Sequence, residues 1–370
     1  LFNRHELICA KIVTKPISDI LGGIKMVEKI ILGTYTRRVS EGIYTIELDT
    51  EKEELTGLKL ATKENSPTYL AKSEAGYLYN VTSIDGLGGI GAYDPNFHFL
   101  NAVTESGAPL CYVAVDEVRQ LVYGANYHKG EVNVYRILDN GGLEATDAVF
   151  HQEETGPHKN QDHAHVHYTD LTPDNRLVVC DLGTDRVYTY DVSNEGKLSL
   201  ISEFVVDPGT GPRHLVFHPI NKTIAYLFGE LDSTVRVLTY NKEQGTFEEK
   251  QKISTLPENF NEENGGAAIR VSNDGRFVYA SNRGHNSIAV FAVSEKDQTL
   301  ERIQIIATEG DFPRDFALSP DNNYVVCANQ NSDNLTLYYR HENTGLLELR
   351  QKDIYAPECV CVYFDRSIEK

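Results

Sequence analysis

Apolar and polar positions alternate along this chain in short runs, and the runs recur as a unit. From Ser66 onward the order is an apolar run, a turn such as PDN, NDG or PIN, a second run, a polar turn such as GTD, LDS or NSD, and a third, alternating run. Six units follow this order: SPTYLAKSEAGYLYNVTSIDGLGGIGAYD from Ser66, APLCYVAVDEVRQLVYGANYHKGEVNVYRI from Ala108, DHAHVHYTDLTPDNRLVVCDLGTDRVYTYDV from Asp162, GPRHLVFHPINKTIAYLFGELDSTVRVLTY from Gly211, NGGAAIRVSNDGRFVYASNRGHNSIAVFAV from Asn264 and FPRDFALSPDNNYVVCANQNSDNLTLYYR from Phe312. Period-two alternation bounded by Asn, Asp, Gly and Pro predicts three antiparallel strands per unit. A weaker fourth strand follows each, as in LSLISEFVV from Leu198 and LERIQIIAT from Leu300. Unit starts lie about 42 to 54 residues apart, the spacing of four-stranded propeller blades.

The two ends complete the count. APECVCVYF from Ala356 matches only the first strand of a unit, whereas KIILGTY, GIYTIELD and LTGLKLA near the start match the second, third and fourth. The expected fold is therefore all-β: a seven-bladed β-propeller of four-stranded antiparallel blades, closed by a blade shared between the N- and C-termini, with no free sheet edge. No Pro/Gly/Ser-rich linker divides the chain, so residues 26–370 read as one domain. Residues 1–25 carry no part of the repeat, and the single methionine, Met26, precedes the first good strand. The expectation is that residues 1–25 form a dispensable or non-native extension.

In an antiparallel meander the entrance of the first strand and the exit of the second lie at the same end. Residues there from all seven blades converge on one mouth of the central channel. The first column contains Thr68, Leu110, His167, Arg213, Ala267, Arg314 and Glu358, and the second Thr34, Thr82, Asn126, Leu182, Glu230, Asn282 and Asn329. The next position adds Tyr35, Ser83, Tyr127, Gly183, Leu231, Arg283 and Gln330. Three arginines, a histidine and two carboxylates thus point to one region. Glu230 is informative because the two following blades carry Asn282 and Asn329 there; a carboxylate beside Arg213 and Arg283 suits an anion pocket with acid–base groups.

That cluster contrasts with the whole chain, whose 54 acidic against 35 basic residues give a net charge of −19. Nucleic acid is excluded as the main partner, since its binding rests on neutralising phosphates. No run of 18 apolar residues predicts a membrane helix, and no membrane partner is expected. The cysteines Cys9, Cys111, Cys180, Cys327, Cys359 and Cys361 show no CxxC or CxxH spacing, and no signal-peptide pattern is present. Reduced thiols and a cytoplasmic location are expected, with Cys359 and Cys361 packed on one strand face. His163, His165 and His167 alternate along an extended segment and so share a face, but three alternating histidines on one strand do not readily close a tetrahedral metal site. No metal is expected. GLGG from Gly86 reads as a turn, since no GK[ST] follows it.

The ordered set ILGTYT, HVHYTDLTPDN, CDLGTDRV, GPRHLVFHP, GELDSTV, ASNRGHNSIAVF, FPRDFALSPD and ANQNSDN, spanning residue 27 to about 364, resembles the seven-bladed lactonase family typified by bacterial propeller-type 6-phosphogluconolactonases, and more distantly fungal carboxymuconate cycloisomerases. The resemblance implies that His167, Arg213, Glu230 and Arg283 correspond to the family's active-site groups, the same four that the columns select. His163 and His165 are additions that leave the choice of catalytic histidine open.

The expected function is hydrolysis of a phosphorylated sugar lactone, most directly 6-phosphogluconolactone to 6-phosphogluconate in the pentose phosphate pathway, without a cofactor. A lactone is an activated ester and needs only a positioned water, a base and oxyanion stabilisation. Glu230 or His167 is the expected base, and Arg213 and Arg283 the groups for oxyanion or phosphate. Arg314, His165, Asn126, Asn282 and Asn329 are the expected substrate-binding residues, Arg314 as a second phosphate ligand. Two rivals remain: a lactonising cycloisomerase using the same groups, and a non-catalytic propeller binding a protein partner. The absence of tryptophan favours chemistry on a small anion over a protein interface.

Overall fold

The computed structural model describes residues 27–365, and the expected extension over residues 1–25 lies outside the described residues. Seven four-stranded antiparallel sheets form the blades, and every residue of regular structure among the described residues lies in a strand. No helix there is long and apolar enough to cross a membrane. Blade 1 joins the C-terminal strand Cys359–Phe364 to Val27–Thr34, Gly42–Asp49 and Glu54–Lys63, with Ile30 opposite Phe364 and Gly33 opposite Cys361. Blades 2 to 7 begin at Leu70, Tyr112, Val166, Pro212, Gly265 and Pro313.

The burial pattern explains the layering. Second strands such as Leu121–Asn126 and Tyr324–Asn329 are buried along their whole length, because neighbouring blades cover both faces. Outer strands such as Glu54–Lys63 are largely polar and half exposed. The core lies between blades: Ile30, Leu32 and Leu48 of blade 1 pack with Val326, Leu335 and Leu337 of blade 7. Each such residue stabilises by about 1.5–3 kcal/mol on full burial. Ring closure pairs the first and last strands, but each blade keeps an open outer edge, contrary to the expectation of no free edge. Those edges carry charge, as in Lys59, Lys63, Glu248 and Lys252, which discourages pairing with another chain. GLGG is only partly a turn. Gly86 turns at φ 80°, while Gly88 and Gly89 already belong to the strand Leu87–Tyr93 and meet backbone too closely for a Cβ.

An aromatic layer fills the channel. Tyr69 stacks on Tyr112 at 4.1 Å, Tyr112 lies 4.7 Å from Tyr168, and His214 meets Tyr112 at 5.2 Å. The Arg270–Asp315 ion pair, at 2.7 Å, continues the layer from blades 6 and 7. The four aromatic residues and Arg270 line a cavity of about 430 Å³ on one side. The residues from the strand entrances line another on the opposite side.

Candidate active site

Three of the key side chains owe their direction to one device. In blade 4, Val166 pairs with Asp181 and Tyr168 with Cys180, so His167 bulges out of register. Arg213 does the same between the pairs Pro212–Gly229 and His214–Phe228, and Arg314 between Pro313–Asn329 and Asp315–Ala328. A bulge adds a residue to one strand and re-aims its side chain. It also breaks the alternation, which separates His167 from the expected common face with His163 and His165. Proline opens the strand in blades 5 and 7, a position that needs no ladder donor.

Glu230, immediately after the second strand of blade 5, receives both neighbouring arginines on one oxygen. Arg213 Nε lies 2.9 Å and Arg283 Nη2 2.8 Å from Oε2. Both arginines are also fixed by backbone: Arg213 Nη1 donates to Ala267 O at 2.6 Å, and Arg283 Nη2 to Gly266 O at 2.7 Å. Phe312 covers the Arg283 guanidinium at 5.1 Å, a cation–π contact. Burial alone would raise the Glu230 carboxyl, but Arg283, Arg213 and Arg314 hold it below the ordinary carboxylate range. Arg213 is itself pulled down by burial and by Arg283.

Two cavities share Glu230 and Arg283 as common wall. One, of about 480 Å³, is lined by His167, Arg314, Arg37, Tyr35, Tyr127 and Cys111 among others. The other, of about 680 Å³, is lined by Phe312, Asn264, Lys159 and Glu263. In the smaller cavity Arg37 and Arg314 lie 3.9 Å and 5.6 Å from the Tyr35 ring centre. Neither has a carboxylate within ion-pair distance among the described residues, which leaves their N–H groups to an anion. Burial, then Arg213, Arg314 and Arg283, depress the His167 imidazole well below its ordinary value, so it is neutral at neutral pH. Its Nδ1 is buried without a hydrogen-bond partner, and the residue lines the smaller cavity. Burial pushes the Cys111 thiol up to about 12, which argues against a thiolate nucleophile.

Other expected residues fall elsewhere. Arg213 is buried and lines neither cavity, and its guanidinium meets the Glu230 carboxylate. Glu358 lines neither cavity: its carboxylate accepts the backbone N–H groups of Arg37, Arg38, Val39 and Ser40. The three asparagines tie down connectors between blades. Asn126 Nδ2 donates to Ala108 O, Asn282 Nδ2 to Thr255 O and Asn329 Nδ2 to Thr308 O, all three side chains being buried outside the cavity linings. His165 is buried, stacked at 4.1 Å on Tyr127, and also outside the linings. Sequence columns missed Arg37 and His128. Both sit one or two residues beyond the columns, in the turn after the second strand, and extending the columns through that turn would have included them. The five described cysteines, Cys111, Cys180, Cys327, Cys359 and Cys361, are unpaired, and Cys359 and Cys361 are buried packing groups.

The profile of the family described as "Lactonase, 7-bladed beta-propeller" matches residues 29–364. A protein of Bacillus subtilis named 6-phosphogluconolactonase is 42% identical over 340 residues, covering 90% of this chain and 97% of that one. A crystal structure of a Lactobacillus plantarum protein shares 50% identity and a TM-score of 0.90, covering 92% of this chain and all of the other. The structure of the periplasmic gluconolactonase of Pseudomonas aeruginosa shares 27% identity and a TM-score of 0.86, over 93% of this chain and 100% of that one. The chain belongs to the seven-bladed β-propeller lactonase family, and lactonase chemistry is its enzymatic class.

Proposed function

We propose that this lactonase hydrolyses a phosphorylated sugar lactone, with 6-phosphogluconolactone the best match, in the cytoplasmic pentose phosphate pathway. The observation that carries the reading is the pairing, in one cavity, of two cations without carboxylate partners, Arg37 and Arg314, with neutral His167 and the Glu230–Arg283 pair. The phosphate sits against Arg37 and Arg314, for which guanidinium geometry is suited. The lactone carbonyl then lies toward Arg283, whose charge stabilises the oxyanion.

Glu230 orients the attacking water and the His167 imidazole takes its proton as the water oxygen bonds to the carbonyl carbon. Collapse of the tetrahedral intermediate breaks the bond to the ring oxygen, which receives that proton from His167. The product is a hydroxy acid. Both proton-handling groups are poor bases in the free protein: arginines depress Glu230, and burial, then arginines, depress His167. A phosphate dianion at Arg314 offsets one of those arginines and so raises the affinity of His167 for a proton as substrate binds. The similarity to a 6-phosphogluconolactonase supports the phosphorylated substrate. The similarity to a periplasmic gluconolactonase supports a second reading, an unphosphorylated lactone. An assay on both lactones, corrected for spontaneous ring opening, separates them: equal specificity constants rule out the phosphate pocket, and no hydrolysis of either rules out both readings in favour of the cycloisomerase or binding scaffold.

A further inference from the structure

Beside the cavity, the segment that enters blade 4 gathers Asp162, His163 and His165, whose candidate ligand atoms all lie within 4.8 Å of one another. Every ring nitrogen of the two histidines faces an oxygen acceptor. His163 Nδ1 and His165 Nε2 each lie 2.9 Å from the same Asp162 Oδ1. The opposite nitrogens face backbone: His163 Nε2 is 2.9 Å from His128 O, and His165 Nδ1 is 2.9 Å from Tyr127 O. A neutral imidazole has one donor and one acceptor. In the tautomer whose N–H donates to the backbone carbonyl, each ring turns a lone pair toward Asp162 Oδ1. The two rings lie with centres 4.0 Å apart over that one carboxylate.

We infer that Asp162, His163 and His165 form a binding site for a first-row divalent cation of Zn²⁺ type. The ion sits among two imidazole nitrogens and a carboxylate oxygen, the donor set that suits zinc. The two carbonyls then act as the outer partners that fix the tautomer of metal-bound histidines. Tetrahedral ligation places donor atoms roughly 3.3 Å apart, within reach of small rotations of the exposed Asp162 and His163 side chains. Asp162 takes the place that the third alternating histidine, His167, cannot take once the bulge turns it into the cavity. The fourth position faces solvent. Because His165 also stacks on Tyr127, and Tyr127 lies edge-on to His167 at 5.8 Å, the ion holds the wall of the substrate cavity and does not enter the reaction.

This inference does not depend on the substrate, and its test measures binding alone. The chelator-treated full chain is titrated with ZnCl₂ by calorimetry, and Co²⁺ is followed by its visible absorption. The expected result is one equivalent with nitrogen and oxygen ligation, weakened in both Asp162→Ala and His163→Ala by at least the roughly 10–100-fold that losing an outer-shell partner costs. Both side chains are exposed, so both variants should fold. No saturable binding, binding unchanged in either variant, or a cobalt–thiolate charge-transfer band overturns the site.

Discussion

Arg213 reaches Glu230 from behind the cavity wall, its Nε 2.9 Å from Oε2, while its own Nη1 is pinned to the carbonyl of Ala267 on the next blade. The carboxylate is thereby held by a buried cation that lines neither cavity. Replacing Glu230 by Gln keeps the shape but removes the charge that neutralises two arginines. Breaking a buried pair from one side costs about 3–5 kcal/mol; with Glu230 partly open to the cavities, the low end is expected. The variant should lose most turnover and also unfold at lower denaturant concentration. Turnover close to wild type would remove Glu230 from the reaction.

Arg213→Ala separates support from contact. Because Arg213 does not line the cavity, kcat should fall at least tenfold, while KM for the phosphorylated lactone should change little. Steady-state kinetics of the two parameters checks this, and a change confined to KM would instead make Arg213 a substrate ligand.

The phosphate is tested at the two cations free of carboxylates. A charge-assisted hydrogen bond is worth about 1.5–3 kcal/mol, or roughly ten- to a hundredfold. Arg314→Ala should lower kcat/KM for the phosphorylated lactone by such a factor and leave the unphosphorylated lactone nearly unaffected. Arg37→Ala should do the same toward the low end, because Arg37 is solvent-exposed. Equal losses on both substrates would place these arginines at the lactone ring.

Burial, with arginines nearby, depresses His167 and His214 well below the ordinary imidazole value. As pH falls below about 6.5, these groups take up protons in the unfolded chain and not in the folded one. Their contribution to stability is thus complete above that pH and lost below it. The loss is up to about 1.4 kcal/mol per pH unit for each histidine. Denaturant titrations between pH 7.5 and 5 should show this slope, and His167→Gln should reduce it. A flat profile would mean that the two imidazoles take up protons in the fold as they do in the unfolded chain. On the unphosphorylated lactone, whose own charge does not change there, the acid limb of kcat/KM should lie below pH 6.5.

Removing residues 356–370 deletes the strand Cys359–Phe364, which pairs along Val27–Thr34 and closes the ring. It also strips the inner strand from buried Ile30 and Leu32. Aggregation or loss of a single cooperative unfolding transition is expected by light scattering and calorimetry. An intact, sharp transition would mean that the ring tolerates an open blade.

Local patterning by itself determined the blades, because period-two alternation and Asn/Asp/Gly turns act within a few residues of each other. It determined the shared closing blade for the same reason: one terminus carried the strand the other lacked. It also brought Glu230, Arg283, His167 and Arg314 to one mouth, since strand ends at equal repeat positions meet in a ring. What alternation could not encode is direction where the ladder slips. The bulges at His167, Arg213 and Arg314 each depend on pairing with a neighbouring strand, so only the folded sheet decides that His167 leaves the face of His165 and enters the cavity. Depth was equally hidden. Asn126, Asn282 and Asn329 share Glu230's place in the repeat, yet hydrogen-bond blade connectors, while Arg37 reaches the cavity from a turn that no strand pattern describes. Those choices rest on contacts between residues far apart in the chain, which exist only once the seven sheets have packed.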